Sequence, residues 1–372
     1  MPHPDVIVIG AGMVGAACAH ALAHAGQRVL VLDARLGGAT NAGMGHLVVM
    51  DDNPAELALS QASLTQWHAW APRMAAEAPS TAFTHCGTLW VAADAEEMQE
   101  AEHKRARLRA HGIACELLGA RELATQEPVL RPGLHGALRV SGDSMVYAPN
   151  AAEWLLGHAA TPIQIEQLQV ERIEGRRVVC TDGSVREGGA VLLAAGIHAT
   201  QFCPELPIRP KKGHLAITDR GSAVVRHQLV ELGYVKNAHQ TEGTSVAFNL
   251  QPRPTGQWLL GSSRQFDTQD PAVDNALLAR MLRRAIKYVP SLAERNAIRT
   301  WTGFRAATPD GLPIIGRHPE HAHLWLAVGH EGLGVTTAPA TAALIASSML
   351  GTAAPIDPTP YAPTRFVQER AA

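Results

Sequence analysis

Residues 5–33, DVIVIGAGMVGAACAHALAHAGQRVLVLD, decide the fold. They divide into a short apolar strand, a glycine turn, an alanine-rich helix stopped by Gly26, and a second apolar strand ending at Asp33, which is a βαβ unit. Gly10, Gly12 and Gly15 spell GxGxxG in the required place. The first glycine permits the tight turn, the second lets a pyrophosphate approach the backbone, and the third lets helix pack on strand. Met13 and Val14 open the helix, whose unpaired N–H groups face the phosphates. Asp33 closes the second strand, where a carboxylate can accept from ribose hydroxyls and disfavours a 2′-phosphate. The unit therefore predicts dinucleotide binding.

Beyond it, RLGGATNAGMGHL (residues 35–47) is a second run of glycine, alanine and small polar residues. Backbone this bare suits close approach of a flat ligand, and equally a flexible surface loop. Three later stretches stand out: QVERIEGRRVVCTDGSV with AVLLAAGIHAT (169–185 and 190–200), WTGFRAATPDGLPIIG (301–316), and AVGHEGLGVTTAPATAALIA (327–346).

Composition narrows the class. The chain has 372 residues, 46% hydrophobic and 18% charged, as expected of a globular protein with a large core and two joined domains. A net charge of −2 offers no field for nucleic acid or an anionic membrane. Five scattered cysteines without a CxxC pair suggest reduced thiols in a cytoplasm, no disulfide framework and no metal. The N-terminus lacks the basic region and cleavage site of a signal peptide. Residues 335–350 carry several Thr and Ser and are too few to span a bilayer, so they are expected to form a packed helix and no integral membrane segment.

Taken in order, these motifs resemble the D-amino-acid oxidase family of FAD-dependent oxidoreductases, with glycine oxidase and sarcosine oxidase among its members. The resemblance implies a Rossmann-like α/β FAD-binding domain and a second α+β substrate domain built on an antiparallel sheet. It implies FAD held noncovalently, since the last cysteine, Cys203, lies well before the C-terminal motifs where an attachment residue would be expected. By this likeness Asp33 (Glu in many members) takes the ribose, with Ala34 next to it, while Arg35, Thr40, Asn41, Ala42, Gly43, Met44 and Gly45 occupy the stretch that covers the pyrophosphate and runs under the isoalloxazine, and His46 adjoins it. Val170 offers backbone groups to the adenine, and Ala195 and Gly196 pass close to the nucleotide. Gly303 belongs to the Trp-x-Gly-x-Arg motif. Gly332, Leu333, Gly334, Val335 and Thr336 lead into a small-residue helix whose N-terminus points at the flavin ring and favours negative charge on it.

The nucleotide-binding pieces occupy residues 1–82, 141–205 and 301–372, which leaves 83–140 and 206–300 for the substrate-binding domain. In the first insert HCGTLWVA reads as a strand and 95–112 as a charged helix whose run EEMQEAEHKRARLR is a solvated face. In the second, HLAITD, SVAFNLQPR and QWLLGSSR read as strands of a sheet that roofs the flavin.

Arg305 is the candidate for gripping a substrate carboxylate through two parallel hydrogen bonds, with an internal ion pair to Asp310 or Glu331 as the alternative. Tyr234 can present its hydroxyl to that carboxylate or merely pack, and Glu331 can hold the substrate nitrogen or remain a loop carboxylate. His46 and His330 either touch flavin or substrate or are incidental among 18 histidines. The expected reaction is oxidation of a small amino or imino acid, whether D-configured, N-methylated, glycine or proline-like, by hydride transfer to flavin N5. An NAD-dependent dehydrogenase and a non-catalytic flavin-carrying subunit are the competing readings. In the sarcosine-oxidase branch a roof-sheet lysine assists oxygen, whereas GSSRQFDTQDP (261–271) offers Arg264 and no lysine. Electrons are therefore expected to pass to a quinone or a partner flavoprotein rather than to oxygen. A true oxidase forming hydrogen peroxide is the alternative, and a homo-oligomer or partner subunits are possible.

Overall fold

The computed structural model describes residues 3–233, 243–266 and 268–366, which divide into two compact units. One comprises Met1–Thr81, Val146–Pro210 and Arg305–Ala372, the other Ala82–Met145 and Lys211–Phe304.

In the first unit VIVI, VLVL and AVLL become strands Val6–Ile9, Val29–Leu32 and Ala190–Leu193. Continuous apolar runs of this kind suit a parallel sheet buried on both faces. Val6 lies opposite Val29 on one side and Ala190 on the other, both parallel. The six-stranded sheet runs Ile314–Arg317, Leu324–Val328, Ala190–Leu193, Val6–Ile9, Val29–Leu32, Gln164–Glu166, and only the Ile314–Arg317 edge is antiparallel. An antiparallel trio, Val170–Glu174, Arg177–Cys180 and Val185–Glu187, accompanies it. Helices Met13–His24, Pro54–Glu77, Ala148–Gly157 and Gly334–Leu350 complete the unit. The 335–350 segment is thus a packed helix, as its composition predicts, and no helix among the described residues is long and apolar enough to cross a membrane.

The second unit is built on an eight-stranded sheet in the order Ala297–Ala307, Arg209–Thr218, Trp258–Gln265, Thr244–Pro252, Gln228–Glu231, Thr88–Ala92, Gly136–Val140, Cys115–Gly119. The strand Ala297–Ala307 carries the chain back into the first unit at Arg305. Alternation along Thr244–Pro252 sends Phe248 and Leu250 into a core with Leu229, Leu260, Met281 and Tyr288. Asp274 starts the helix Asn275–Tyr288 by accepting from the N–H groups of Ala276 (2.9 Å) and Leu277 (3.0 Å).

One sequence expectation needs correction. The charged helix forms over Ala95–Ala110, but its run is not simply a solvated face, because Glu97 and Lys104 are buried. Lys104 lays its ammonium 4.4 Å from the Trp90 ring centre, a cation–π contact that compensates for lost water, and Glu97 accepts from the Ala93 N–H at 2.7 Å. Charge in a sequence marks a group that requires a polar partner, and that partner need not be water.

Candidate functional site

The glycine turn is glycine by necessity. Gly10 adopts φ +105°, and a side chain there would put its Cβ 2.6 Å from the Ala194 carbonyl oxygen. A Cβ on Gly15 would collide with the Gly10 carbonyl. Gly12 precedes the helix Met13–His24, which has no side-chain cap and no acidic residue in its first turn. Its first-turn N–H groups have no partner within the helix, and with their partial positive charge they suit a pyrophosphate. The Met13 N–H donates to Thr40 Oγ1 at 2.9 Å, which draws the short helix Ala39–Ala42, with Asn41, against this turn.

Asp33 is held from two sides. Its Oδ2 accepts from the Ala11 N–H and its Oδ1 from the Arg35 N–H, each at 2.6 Å. An ionised carboxylate has about four acceptor positions, so two remain for ribose hydroxyls. Arg35, just past Ala34, takes a left-handed φ of +53° to make its contact. Beyond Gly43 and the buried Met44, Gly45 (φ +79°) lies so close to the Val146 carbonyl that a Cβ there would overlap it. Val170 begins the small hairpin opposite Cys180, and Ala195 and Gly196 (φ +57°) follow the strand that abuts Gly10. A cradle stripped of side chains, two donor-rich turns and a fixed carboxylate fit an adenine dinucleotide.

The second helix start lies beside the first. A Cβ placed on Gly334 would be 3.7 Å from Val14 Cγ2, so the first turns of Met13–His24 and Gly334–Leu350 adjoin. Leu333 precedes the latter, again without side-chain cap or acidic first turn. Thr336 ties this turn to the 46–47 strand by donating its hydroxyl to the His46 carbonyl at 2.8 Å, so His46 contributes through its backbone. His330 is buried beneath the turn, 3.0 Å from Thr341 Oγ1 through Nε2. Burial pushes its pKa down to about 3, which leaves a neutral imidazole.

Arg305 sits in the strand Ala297–Ala307, and its neighbour Ala306 bridges Glu331 with the Glu331 N–H donating at 2.9 Å. That register places Arg305 beside Gly332, where a Cβ would stand 3.5 Å from Arg305 Cδ and Nε. Of the two carboxylates that the sequence offers as internal partners, Asp310 is gripped by Arg365, at 2.7 Å to Nε. Glu331 has φ +44° and lies opposite Ala306 on the bridge. Gly303 lies in the part of that strand belonging to the second unit. Tyr234 is outside the described residues.

Sequence reasoning missed three features. Lys211 and Lys212, buried on Arg209–Thr218, belong to the same sheet as Arg264; Lys212 lies opposite Gln265 and donates to the Ala272 carbonyl at 2.5 Å. The KK pair was legible, and only the pairing of its strand with Trp258–Gln265 was not. Cys203, Glu205 and His318 come close enough to hold a metal, yet His318 Nδ1 accepts from the Glu320 and His321 N–H groups, so Nε2 carries the proton it gives to Glu205 and has no lone pair for an ion. The third is Trp67 with Ser63, whose side chains bond to the backbone of Gly334–Leu350.

Comparison with known proteins agrees with this geometry. The family model described as DAO, FAD dependent oxidoreductase, matches residues 5–348. Glycine oxidase of Pseudomonas aeruginosa is 28% identical over 376 residues, covering 96% of this chain and 98% of that protein. Hydrogen cyanide synthase subunit HcnC of the same organism is 26% identical over 421 residues, covering 99% and 97%. The crystal structure of glycine oxidase from Geobacillus kaustophilus superposes with a TM-score of 0.87 at 25% identity, over 98% of this chain and 99% of that one.

Proposed function

The chain belongs to the DAO family of FAD-dependent oxidoreductases and FAD is its cofactor, and from that premise we propose that it oxidises a small amino or imino acid at the carbon bearing nitrogen. Bound FAD supplies the hydride acceptor at N5. Every other part falls to the chain. The first unit is the FAD-binding domain and the second the substrate-binding domain. Gly10, Gly12 and Gly15 admit the pyrophosphate, Thr40 fixes the loop above it, and Asp33 takes the ribose. The first turn of Gly334–Leu350 faces the flavin ring.

One observation carries the substrate class: Arg305 stands alongside Gly332, next to that turn. A guanidinium in that place grips a carboxylate through two charge-assisted bonds and orients the adjacent carbon. The amine enters neutral, so no protein base is required. Tyr234 and Glu331 are proposed to assist at the carboxylate and the nitrogen. Activity in the cytoplasm is part of the proposal, as is a partner subunit, in keeping with the word subunit in the name of the HcnC relative.

For the acceptor we favour a quinone or a partner flavoprotein, on the strength of Arg264. The alternative, an oxidase that makes hydrogen peroxide, is favoured by buried Lys211 and Lys212 in the same sheet. A panel of glycine and D-, L- and N-substituted amino acids, assayed with an artificial dye and with air-saturated buffer side by side, tests both levels. Turnover of at least one member with formation of its oxo acid is expected, ten-fold or more faster with dye. Equal rates with stoichiometric peroxide would make the protein an oxidase, and no turnover of any member would remove the substrate class.

A further inference from the structure

The helix Gly334–Leu350 contains a proline at its sixth residue, Pro339. Proline has no N–H, and its ring crowds the carbonyl four residues earlier, so the Val335 carbonyl loses its helical partner. That carbonyl is not left bare. The indole Nε1–H of Trp67 lies 3.1 Å from the Val335 oxygen and 3.0 Å from the Thr336 oxygen. Just after the break, the Ala340 N–H donates to Ser63 Oγ at 3.1 Å. Ser63 and Trp67 are four residues apart on the helix Pro54–Glu77 and therefore share one face; both are fully buried. One neighbouring helix thus supplies a donor and an acceptor at the point where Gly334–Leu350 cannot bond to itself.

The turn before the break is the one with no side-chain cap and no acidic residue. A helix end exerts its partial charge chiefly within its first turn, so the orientation of that turn decides what a ligand there experiences. Pro339 removes one of the bonds that tie residues 334–338 to the rest of the helix, and contacts from outside add to what sets their orientation: Thr336 on the His46 carbonyl, and Trp67 on the two carbonyls.

We propose that Trp67, seconded by Ser63, holds the first turn of Gly334–Leu350 in register across Pro339 and thereby sets the reduction potential of bound FAD. Trp67 acts through the helix and is a positioning residue. The inference rests on the reading that the flavin ring lies at this helix start. Reduction adds negative charge to the ring, which an aligned helix N-terminus stabilises. A tilted turn stabilises it less and lowers the potential.

The test is a set of variants read by the midpoint potential and visible spectrum of bound FAD. Trp67→Phe keeps the ring bulk and removes the donor, and should weaken the equilibrium toward the reduced cofactor about ten-fold, about 30 mV for a two-electron couple. Pro339→Ala restores an N–H to the Val335 carbonyl, so the double variant Trp67→Phe/Pro339→Ala should return to the parent potential. If Trp67→Phe folds poorly, the double variant carries the test alone and should fold with the parent potential. An unchanged potential in Trp67→Phe, or a lowered one that Pro339→Ala fails to restore, overturns the proposal. Val335→Asp puts a carboxylate into the same turn and separates the two levels. If it leaves the potential unmoved, the flavin ring is not at this helix start; if it lowers the potential while Trp67→Phe does not, only the role of Trp67 is wrong.

Discussion

At the residue scale, the site depends on a few groups whose neighbours fix their task. Arg305 is the clearest, since the Ala306–Glu331 bridge sets it beside Gly332, at the approach to the Gly334–Leu350 turn. Lysine at 305 would keep the charge but lose the planar two-pronged donor. Arg305→Lys should therefore retain the flavin spectrum and lower kcat/KM at least about 100-fold, about 2.7 kcal/mol of transition-state stabilisation. Steady-state kinetics with a good substrate check this, and near-normal activity would make Arg305 a structural cation. Asp33, by contrast, is proposed from sequence as an acceptor for ribose, while its fastening of the Ala11 and Arg35 N–H groups emerges only in three dimensions.

At the scale of elements, what was legible follows from periodicity and glycine. Buried apolar runs named the parallel strands, and GxGxxG named the first turn together with its reason. Local caps are equally physical. Asp274 satisfies two N–H groups of Asn275–Tyr288, whose Leu278, Met281 and Tyr288 line the core, so Asp274→Ala should destabilise the second unit by about 1 kcal/mol in urea unfolding. An unchanged midpoint would show that water replaces the cap. Partnerships between distant elements were illegible. Pro339 was visible in the string TTAPATAAL, but nothing in the sequence says that Trp67, 268 positions away from Val335, mends it. Nor does the run EEMQEAEHKRARLR say that Lys104 ends over Trp90.

At the scale of the whole molecule, two buried histidines contribute to the response to acid. Burial pushes His330 down to about 3 and His20 to about 4, the latter against a bond to the Leu155 carbonyl and helped by repulsion from His24, Arg73 and His158. In the unfolded chain both titrate near 6.5. Below that pH the unfolded state binds protons that the folded state refuses, so stability falls as pH falls. The slope is about 1.4 kcal/mol per pH unit for each histidine, from about 6.5 down toward the folded values. Urea midpoints measured from pH 7 to 4.5 should fall steeply, and His330→Gln should flatten the curve; a flat parent curve would contradict the buried neutral state. Transfer of hydride to FAD from a carboxylate-bearing amine is open to test by anaerobic titration. Purified holoprotein mixed with the amino acid panel should bleach its visible flavin band with at least one member, while Arg305→Lys bleaches far more slowly with that compound. A flavin that dithionite bleaches but no amino or imino acid does would contradict the account.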